Sequence, residues 1–273
     1  MRECEDGLSN IDKMQRQEKN CIYVVGHKAF RLPVENPFYV PLMVGQRSAG
    51  ESSELLWDCT GDNIAEKNQR YNELTGLYWI WKNSKAPIVG ICHYRRFFTT
   101  KYGKIRNILT GNYDCLLSEE QVIHELQMYD VILHNKTFTL EGNRNQLCMQ
   151  EKDDKAVKKS KLRREILDTA DTVFGQVYPQ ETKIYNHVMN RKYAHLLNVM
   201  ICRRELLNQY CEWLFPLLFS IEKEIDRKFP NEPHERCMGL LGERLLDVWV
   251  EKEHLRVKEC FTVNTERIDW KMW

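Results

Sequence analysis

A cationic and aromatic cluster directly follows one apolar stretch of the sequence. Residues 88–92 read IVGIC, which is typical of a buried strand, and His93, Tyr94, Arg95 and Arg96 come next. Ligands of open α/β sheets bind at the carboxyl ends of the strands, and a guanidinium group matches phosphate oxygens. The cluster therefore indicates a site for an anionic ligand with a flat or hydroxylated part, such as a nucleotide-sugar. An edge strand with two solvated arginines is the alternative.

Two more apolar stretches end in polar, basic turns. Residues 21–25 and 129–133 each predict a short buried strand. The residues that follow these strands are Gly26, His27, Lys28, His134, Asn135 and Lys136. Because three strands end in the same way, we expect one rim of the sheet to collect positive charge.

Two carboxylates lie on a helix predicted over residues 238–254. Glu243 and Asp247 flank its apolar face one turn apart. Gly239 and Gly242 in the same helix each cost about 1 kcal/mol relative to alanine, which indicates a close approach by a backbone or a ligand. A sugar transfer that inverts the anomeric centre needs a carboxylate base for the acceptor hydroxyl. We assign that role first to Glu243 and second to Asp247.

Asp62 and Asn63 precede an earlier predicted helix, which runs to about Asn83. Asn63 can cap it, and Glu66 three residues later can complete a capping box. A second face carries Glu66, Arg70 and Glu73 at positions i, i+4 and i+7, which predicts a solvated ion-pair ladder. Glu73 also lies close to the apolar stripe, so a site role is the alternative for it. The stripe, interpreted as core, consists of Leu74, Leu77, Tyr78 and Trp81.

The second half of the sequence predicts fewer elements. Residues 198–202 are typical of a strand, and residues 203–226 of a helix. Residues 141–165 carry many lysines and arginines and predict either a loop that leads into a helix or a partly disordered segment. Such a run is usually solvated, and contact with anionic lipid or a phosphate-bearing acceptor is the alternative.

Composition narrows the class of protein. The 273 residues carry a formal net charge of +1 and are 42% hydrophobic, which fits a globular protein and does not favour nucleic acid as a partner. The ten cysteines include no C-x-x-C pair, and Cys21, Cys92 and Cys202 lie in apolar runs, so we expect buried thiols. The sequence opens without a signal-peptide pattern and has no stretch of about 18 apolar residues, which predicts a reduced, cytoplasmic location.

Several catalytic motifs do not occur in the sequence. It contains no phosphate-binding P-loop, no G-x-G-x-x-G, no G-x-S-x-G and no H-E-x-x-H. It also contains no Asp-x-Asp, the motif through which many sugar-nucleotide transferases hold a divalent metal. We therefore expect no metal and no other cofactor. The charge of a departing diphosphate would then be neutralised by Arg95, Arg96, His93 and Lys28.

Long stretches of the chain resemble a bacterial family of capsular and exopolysaccharide glycosyltransferases, long catalogued as a domain of unknown function, that includes galactofuranosyltransferases. The resemblance runs from about Ile22 to Phe261. Its most specific motif is ICHYRRFF at 91–98, in order with GDNIAEKNQRYNELTGLYWIWKN at 61–83 and LLGERLLDVWV at 240–250. The shorter matches are VVGHK at 24–28, YVPLMVG at 39–45 and YDVIL at 129–133.

This resemblance implies an α/β, GT-A-like nucleotide-sugar-binding fold with a mixed central sheet flanked by helices. The implied reaction moves a sugar from a UDP-sugar, with UDP-galactofuranose as one candidate, to a growing capsular, exopolysaccharide or O-antigen glycan. The acceptor would be a lipid-linked oligosaccharide, with peripheral contact at the inner face of the plasma membrane. Residues assigned to the donor are His27, Lys28, Asn63, Lys67, Glu73, His93, Tyr94, Arg95 and Arg96. Residues assigned to the acceptor are His134, Asn135, His195 and Asn198.

We expect a mobile tail at residues 1–20 and a single domain over 21–273, with a nucleotide-sugar half at 21–140 and an acceptor half at 141–273. Residues 143–155 depart from the pattern of the resembling family, in a region that we expect to contact the acceptor. Two other functions stay open: a non-catalytic binder of nucleotide or glycan, and a phosphotransferase with His93 as nucleophile.

Overall fold

The computed structural model describes residues 19–46, 55–138, 154–230 and 234–265, with only the backbone of residues 154–161. Most of the tail at 1–20 and of the segment 143–155 lies outside these ranges. The described strands are β1 (Cys21–Gly26), β2 (Tyr39–Met43), β3 (Leu56–Trp57), β4 (Ile88–His93), β5 (Arg96–Thr99), β6 (Val131–His134), β7 (Thr137–Phe138), β8 (Tyr193–Ala194), β9 (Met200–Arg203) and β10 (Val257–Asn264).

The described helices are α1 (Asn68–Tyr71), α2 (Glu73–Asn83), α3 (Lys101–Thr110), α4 (Glu119–Met128), α5 (Asp154–Val177), α6 (Thr182–Asn190), α7 (Arg204–Lys228) and α8 (Cys237–Lys252). Short 3-10 helices occur at Ala65–Lys67 and Pro179–Glu181. The ends of the predicted strands and of the last two predicted helices differ by at most two residues from those observed. Because α5 begins at Asp154, the second half of the basic run at 141–165 is helical, as one of the two interpretations expected.

Eight of the described strands form one mixed sheet in the order β3-β2-β1-β4-β5-β10-β6-β9, and β9 also pairs with β4. β1 runs parallel to β2 and to β4. β9 is antiparallel to both β4 and β6, so β4 and β6 run in the same direction. Both predicted halves of the chain contribute strands, and the predicted mixed central sheet with flanking helices is confirmed.

Helices and loops cover both faces of this sheet. Successive residues of a strand face opposite sides, and β1 shows this directly. Tyr23 packs into one cluster with buried residues of α2, α7 and α8. Ile22 and Val24 pack into a second cluster with residues of α4 and β5. Since both faces are covered, the carboxyl edge of the sheet is where a ligand can reach the strands.

The helix predicted to follow Asn63 and to end near Asn83 is broken into three pieces, contrary to expectation. A 3-10 helix at Ala65–Lys67 is followed by α1 and, after Asn72, by α2. Asn72 causes the second break because its backbone adopts φ 52° and ψ −127°, outside the helical region. Asn63 accepts a hydrogen bond from the Ala65 N–H at 3.2 Å, but Ile64 occupies the cap position and the capping box does not form.

The ion-pair ladder on this segment is also corrected. Arg70 Nη1 lies 2.7 Å from Asp226 and 3.4 Å from Glu222, both on α7. Arg70 therefore joins α1 to α7 and does not form the predicted ladder along its own helix. Long-range packing decides its partner, which local spacing could not indicate.

The aromatic residues of α2 form core contacts, as predicted. Trp81 stacks on Phe215 of α7, with ring centroids 5.7 Å apart and planes 3° from parallel. Trp79 is buried, and its indole N–H donates to the Thr60 carbonyl at 2.9 Å. The predicted buried thiols are confirmed for Cys21, Cys92 and Cys202, and burial raises the pKa of Cys21 to about 11.

Candidate functional site

The three basic turns identified in the sequence lie at one edge of the sheet. β1 and β4 are parallel, with Val25 opposite His93, so Gly26 and His27 emerge beside the end of β4. β6 runs in the same direction as β4 and ends at His134 on the same edge. The predicted shared rim is therefore confirmed.

A cleft of about 310 Å³ opens at this rim, between the ends of β1 and β4 and the break that separates α1 from α2. Its size falls within the range of small-molecule sites, about 300–1,000 Å³. Three residues assigned to the donor line it: His27, Glu73 and His93. The other lining residues are Val25, Gly26, Val44, Asn68, Gln69, Asn72 and Arg236.

The break at Asn72 shapes one wall of the cleft. Asn68 holds the break from the preceding helix, because its Nδ2 donates to the Asn72 carbonyl and to Thr75 Oγ1, both at 2.9 Å. Glu73 thereby becomes the first residue of α2 and lines the cleft. A carboxylate in the first turn of a helix is favoured by the helix dipole.

Glu73 is held by Asn198, which lies just before β9. Asn198 Nδ2 donates to Glu73 Oε1 at 2.6 Å and to the Gly239 carbonyl at 2.8 Å. Burial raises the pKa of Glu73 to about 6, although the hydrogen bond from Asn198 opposes the shift. Leu197 and Asn198 both have positive φ, 86° and 50°, and consecutive strained residues of this kind cluster at functional sites.

Glu243 of α8 is the second carboxylate of this region. Burial raises the pKa of Glu243, and the Arg244 guanidinium, 3.3 Å away, opposes the shift. The charge of Glu243 in turn contributes to raising the pKa of Glu73, so the two carboxylates interact. Carboxylates whose pKa burial shifts towards neutrality are typical of acid–base sites.

Arg96 and Arg236 supply positive charge near these carboxylates. The Arg96 guanidinium is half-buried, and burial and Arg95 lower its pKa while the charges of Glu243 and Glu73 oppose that shift. Arg236 lines the cleft, and its positive charge lowers the pKa of Glu73 and of Glu243. The site thus combines two guanidinium groups with two carboxylates.

A second group of predicted cations packs around the buried ring of Tyr94. The ring centroids of His93 and His27 lie 4.6 and 5.6 Å from that of Tyr94. Lys28 Nζ and Arg95 Cζ lie 5.5 and 5.2 Å from the same centroid. Three of the four residues assigned to a diphosphate, Lys28, His93 and Arg95, are therefore grouped on one aromatic side chain beside the cleft.

Asp247, the second candidate base, is fully buried and already has close partners. Its Oδ1 lies 2.5 Å from His195 Nδ1, and its Oδ2 accepts from the His195 backbone N–H at 2.9 Å. Arg191 Nη2 lies 3.0 Å from the same Oδ2. Since both oxygens are engaged, this environment suits the orientation of His195 better than proton transfer from a substrate.

Two of the residues assigned to the acceptor lie in one neighbourhood. Burial lowers the pKa of His134, and the nearby charges of Lys104, Arg96 and His195 lower it further. His134 Nδ1 lies 2.6 Å from the Asn135 carbonyl. His195 Nε2 is buried, has no hydrogen-bond partner within the described ranges, and lies 3.8 Å from Glu259 Oε1.

The structure does not bring every predicted residue to the cleft. Lys67 Nζ forms an ion pair with Glu222 at 2.9 Å, and Asn63 Nδ2 donates to the Gly61 carbonyl at 2.9 Å. Both contacts are structural. Asn198, assigned to the acceptor, instead contacts Glu73 on the donor side.

Sequence reasoning missed four polar residues of the cleft: Asn68, Gln69, Asn72 and Arg236. Arg236 precedes α8 with φ 60°, and its N–H donates to the Gln69 carbonyl at 2.9 Å, which couples two distant segments. Asn72, with φ 52°, offered a weak signal, because asparagine tolerates positive φ better than most residues. Arg236 offered none, since nothing near it in the sequence points to a site.

The glycines of α8 make the close approach that the sequence indicated. A Cβ on Gly242 would lie 2.8 Å from Leu74 Cδ1 and 3.0 Å from Asn198 Oδ1. A Cβ on Gly239 would lie 3.3 Å from the Tyr71 carbonyl oxygen. The neighbours are other segments of the chain, so these glycines let α8 approach α1 and α2 behind the cleft.

A comparison with models of protein families shows which family the chain belongs to. A family model described as a domain of unknown function, DUF4422, matches residues 21–254. The chain belongs to this family. A search of curated proteins found no match to this DUF4422 chain.

Among solved structures, this DUF4422 fold is similar to the apo structure of WbbM, a bifunctional glycosyltransferase, with a TM-score of 0.73 and 25% sequence identity. The match covers 92% of this chain and 46% of that one, so the chain spans just under half the length of WbbM. Within the described ranges, no group of three metal-binding side chains and no helix long and apolar enough to cross a membrane is found.

Proposed function

We propose that this chain is a glycosyltransferase with a GT-A-like fold, which transfers a sugar from a nucleotide-sugar to a glycan. The observation that carries the proposal is the cleft at the carboxyl edge of the sheet, which is lined by Arg236 and by Glu73, a carboxylate whose pKa burial raises to about 6. Glu243 and Arg96 lie near enough for their charges to interact with Glu73. The similarity to a bifunctional glycosyltransferase over 92% of the chain supports the same reaction class.

The donor would bind along the ends of β1 and β4. Polar side chains of Asn68, Gln69 and Asn72 in the cleft suit the nucleoside, since they offer both donors and acceptors. Arg96 and Arg236, with the cations around Tyr94, suit the diphosphate. A UDP-sugar, with UDP-galactofuranose as one candidate, is the donor that we propose.

Glu243 would act as the base. As the acceptor oxygen attacks the anomeric carbon, the hydroxyl proton passes to the Glu243 carboxylate, and the bond from that carbon to the diphosphate oxygen breaks. A single displacement of this kind inverts the anomeric centre. A pKa raised towards neutrality makes the carboxylate a better proton acceptor near pH 7. His134, which is partly exposed, would contact the acceptor glycan, which we propose to be a capsular, exopolysaccharide or O-antigen chain on a lipid carrier. His195, also assigned to the acceptor, is buried and would not reach it.

The negative charge that develops on the departing diphosphate would be stabilised by Arg95, Arg96 and Arg236. Preorganised cations aimed at developing charge lower the barrier in a water-poor site. We therefore propose that transfer needs no divalent metal. Transfer in about 5 mM EDTA, which removes trace metal, is expected to equal transfer without it. A complete loss would contradict this part of the proposal.

The test is calorimetry with UDP, followed by a transfer assay with a panel of UDP-sugars. Arg96→Ala is expected to weaken UDP binding at least about tenfold, because a charge-assisted contact to phosphate is lost. Arg227→Ala is the matched control, since Arg227 is exposed and pairs with Glu224 at 2.7 Å on α7. Unchanged UDP binding by Arg96→Ala would contradict the donor site. UDP binding without hydrolysis or transfer of any donor would instead identify a non-catalytic binder.

A further inference from the structure

Helix α3 presents its apolar side chains to solvent. Gly103 is its buried residue, and Lys104 Nζ donates to the Thr262 carbonyl of β10 at 2.9 Å. The exposed fractions of its large apolar residues are 83% for Tyr102, 46% for Ile105, 71% for Ile108 and 78% for Leu109. Helices normally bury their apolar face, so the polarity of α3 is inverted.

This exposure belongs to a well-formed helix with defined ends. Thr100 Oγ1 accepts from the Gly103 N–H at 3.0 Å at its start. Gly111 ends it in the left-handed conformation, with φ 72°. A capped helix of ten residues holds these four side chains on one side as a single patch. Contiguous exposed apolar patches usually mark a contact surface.

The charges of α3 indicate which surface it contacts. Its sequence, KYGKIRNILT, contains three cations and no acidic residue. Lys101 is exposed beside the apolar patch, and Arg106, also exposed, has Asp114 at 2.6 Å. An apolar helix face bordered by lysine and arginine matches a bilayer surface, whose acyl region accepts the apolar groups and whose anionic headgroups attract the cations.

We propose that α3 is a membrane-docking helix, which lies on a bilayer surface rich in anionic lipid with Tyr102, Ile105, Ile108 and Leu109 inserted. The helix adjoins the acceptor side of the cleft, because Lys104 lies close enough to His134 for its charge to act on that ring. Docking would hold the rim of the sheet near the headgroups, where the sugar end of a lipid-linked glycan lies. That last step rests on the proposed function, whereas the docking itself does not.

The test is sedimentation of the full chain with phosphatidylglycerol vesicles and, in parallel, with phosphatidylcholine vesicles, in the absence of nucleotide. The chain is expected to sediment with the anionic vesicles and to be released by high salt. The triple variant Tyr102→Ser, Ile108→Gln, Leu109→Gln is expected to bind them at least about tenfold more weakly. Lys101→Glu, at an exposed position, is expected to weaken binding to anionic vesicles alone.

Met128→Gln is the matched control, because Met128 is an apolar residue that is 51% exposed at the end of a different helix, α4. Its vesicle binding and thermal melt are expected to match the wild type. Equal binding by the triple variant, or no binding of the wild type to anionic vesicles, would overturn the proposal. A wild-type dimer that the triple variant turns into a monomer, without vesicle binding, would assign the patch to self-association. If the chain bound vesicles only after deletion of residues 266–273, the patch would be a contact surface for that segment, and the proposal would be overturned.

UDP calorimetry on the same variants separates this proposal from the proposed function. The triple variant is expected to bind UDP as the wild type does, since α3 contributes no residue to the cleft lining. Loss of vesicle binding with UDP binding retained supports docking through α3. Vesicle binding by a chain that binds no UDP would leave docking in place and contradict the donor site alone.

Discussion

The side-chain amide of Asn198 donates to the Glu73 carboxylate at 2.6 Å, although 125 residues separate the two. This hydrogen bond connects the first residue of α2 to the turn that precedes β9. The same amide nitrogen reaches the Gly239 carbonyl of α8. One side chain thus holds three segments together beside the candidate site, and fixes the position of a carboxylate whose pKa is about 6.

The stability of the protein should depend on the ionisation of Glu73. Its pKa is raised from 4.5 to about 6 on folding, so the folded state binds more protons than the unfolded state between these values. Stability therefore falls as pH rises through this window, by about 2 kcal/mol at pH 7. Glu73→Gln cannot ionise and should not lose that increment.

Urea unfolding of wild type and Glu73→Gln from pH 4 to 8 measures this difference. The free energies of unfolding should diverge in favour of the variant as pH rises from 4.5 to about 6. Asp58, whose pKa is also raised by burial to about 6, is present in both proteins and cancels. A constant difference across the range would contradict the assignment to Glu73.

Replacing the proposed base should lower the rate of catalysis and leave donor binding unchanged. Glu243→Gln keeps the shape of the side chain but cannot accept the proton, so kcat for sugar transfer should fall about 10²–10⁴-fold. The Kd for UDP should stay within about twofold, since the change removes an interaction made in the transition state. Single-turnover assays and calorimetry check the two quantities. A Glu243→Gln variant with wild-type kcat would exclude this residue as the base.

Replacing Asp247 should lower the free energy of unfolding of the protein. Asp247→Ala leaves the buried His195 Nδ1 without its carboxylate partner and leaves the Arg191 guanidinium, 9% exposed, with Glu251 alone. Removing one partner of a buried ion pair costs about 3–5 kcal/mol. Arg227→Ala, which breaks an exposed pair with Glu224, should cost much less, because solvent screens that pair. Chemical denaturation compares the two, and equal small losses would argue against the buried network.

Two glycine-to-alanine substitutions should change the stability of the protein in opposite directions. Gly242→Ala places a Cβ 2.8 Å from the buried Leu74 and 3.0 Å from Asn198 Oδ1, and should destabilise by about 1–3 kcal/mol. Gly175→Ala in α5 places a Cβ 4.0 Å from Thr182 Oγ1, an ordinary contact distance, and should stabilise by about 0.5–1 kcal/mol. Thermal melts of both variants check the signs. Stabilisation by Gly242→Ala would mean that α8 and α2 are not closely packed.

The sequence was informative where the signal is local. Apolar runs located β1, β4, β6 and β9, because a buried strand needs a short continuous stretch of apolar residues. Since parallel strands end at the same edge, the sequence alone placed the three basic turns on one rim. β10, whose burial is irregular along its length, was not predicted, because it lacks both a continuous apolar run and a clean alternation.

The remaining features depend on contacts between distant segments. The positive φ of Asn72 breaks a helix whose spacing looks continuous, and Arg236 reaches the cleft from a loop with no motif of its own. Lys67 was assigned to the donor but pairs with Glu222, 155 residues away. Partners at such separations leave no periodic trace in a single sequence, so the rim was predictable and the detailed pairing within it was not.

The interior position of β10 in the sheet affects how the chain folds during its synthesis. β10 pairs with β5 on one side and β6 on the other, yet it comes after every other described strand. While a ribosome is still synthesising the preceding residues, β5 and β6 each lack this neighbour. The nascent chain therefore carries open strand edges until residues 257–264 emerge, and open edges promote association between chains. We therefore expect poor yields of any version shortened before residue 257, because its β5 and β6 would keep these open edges.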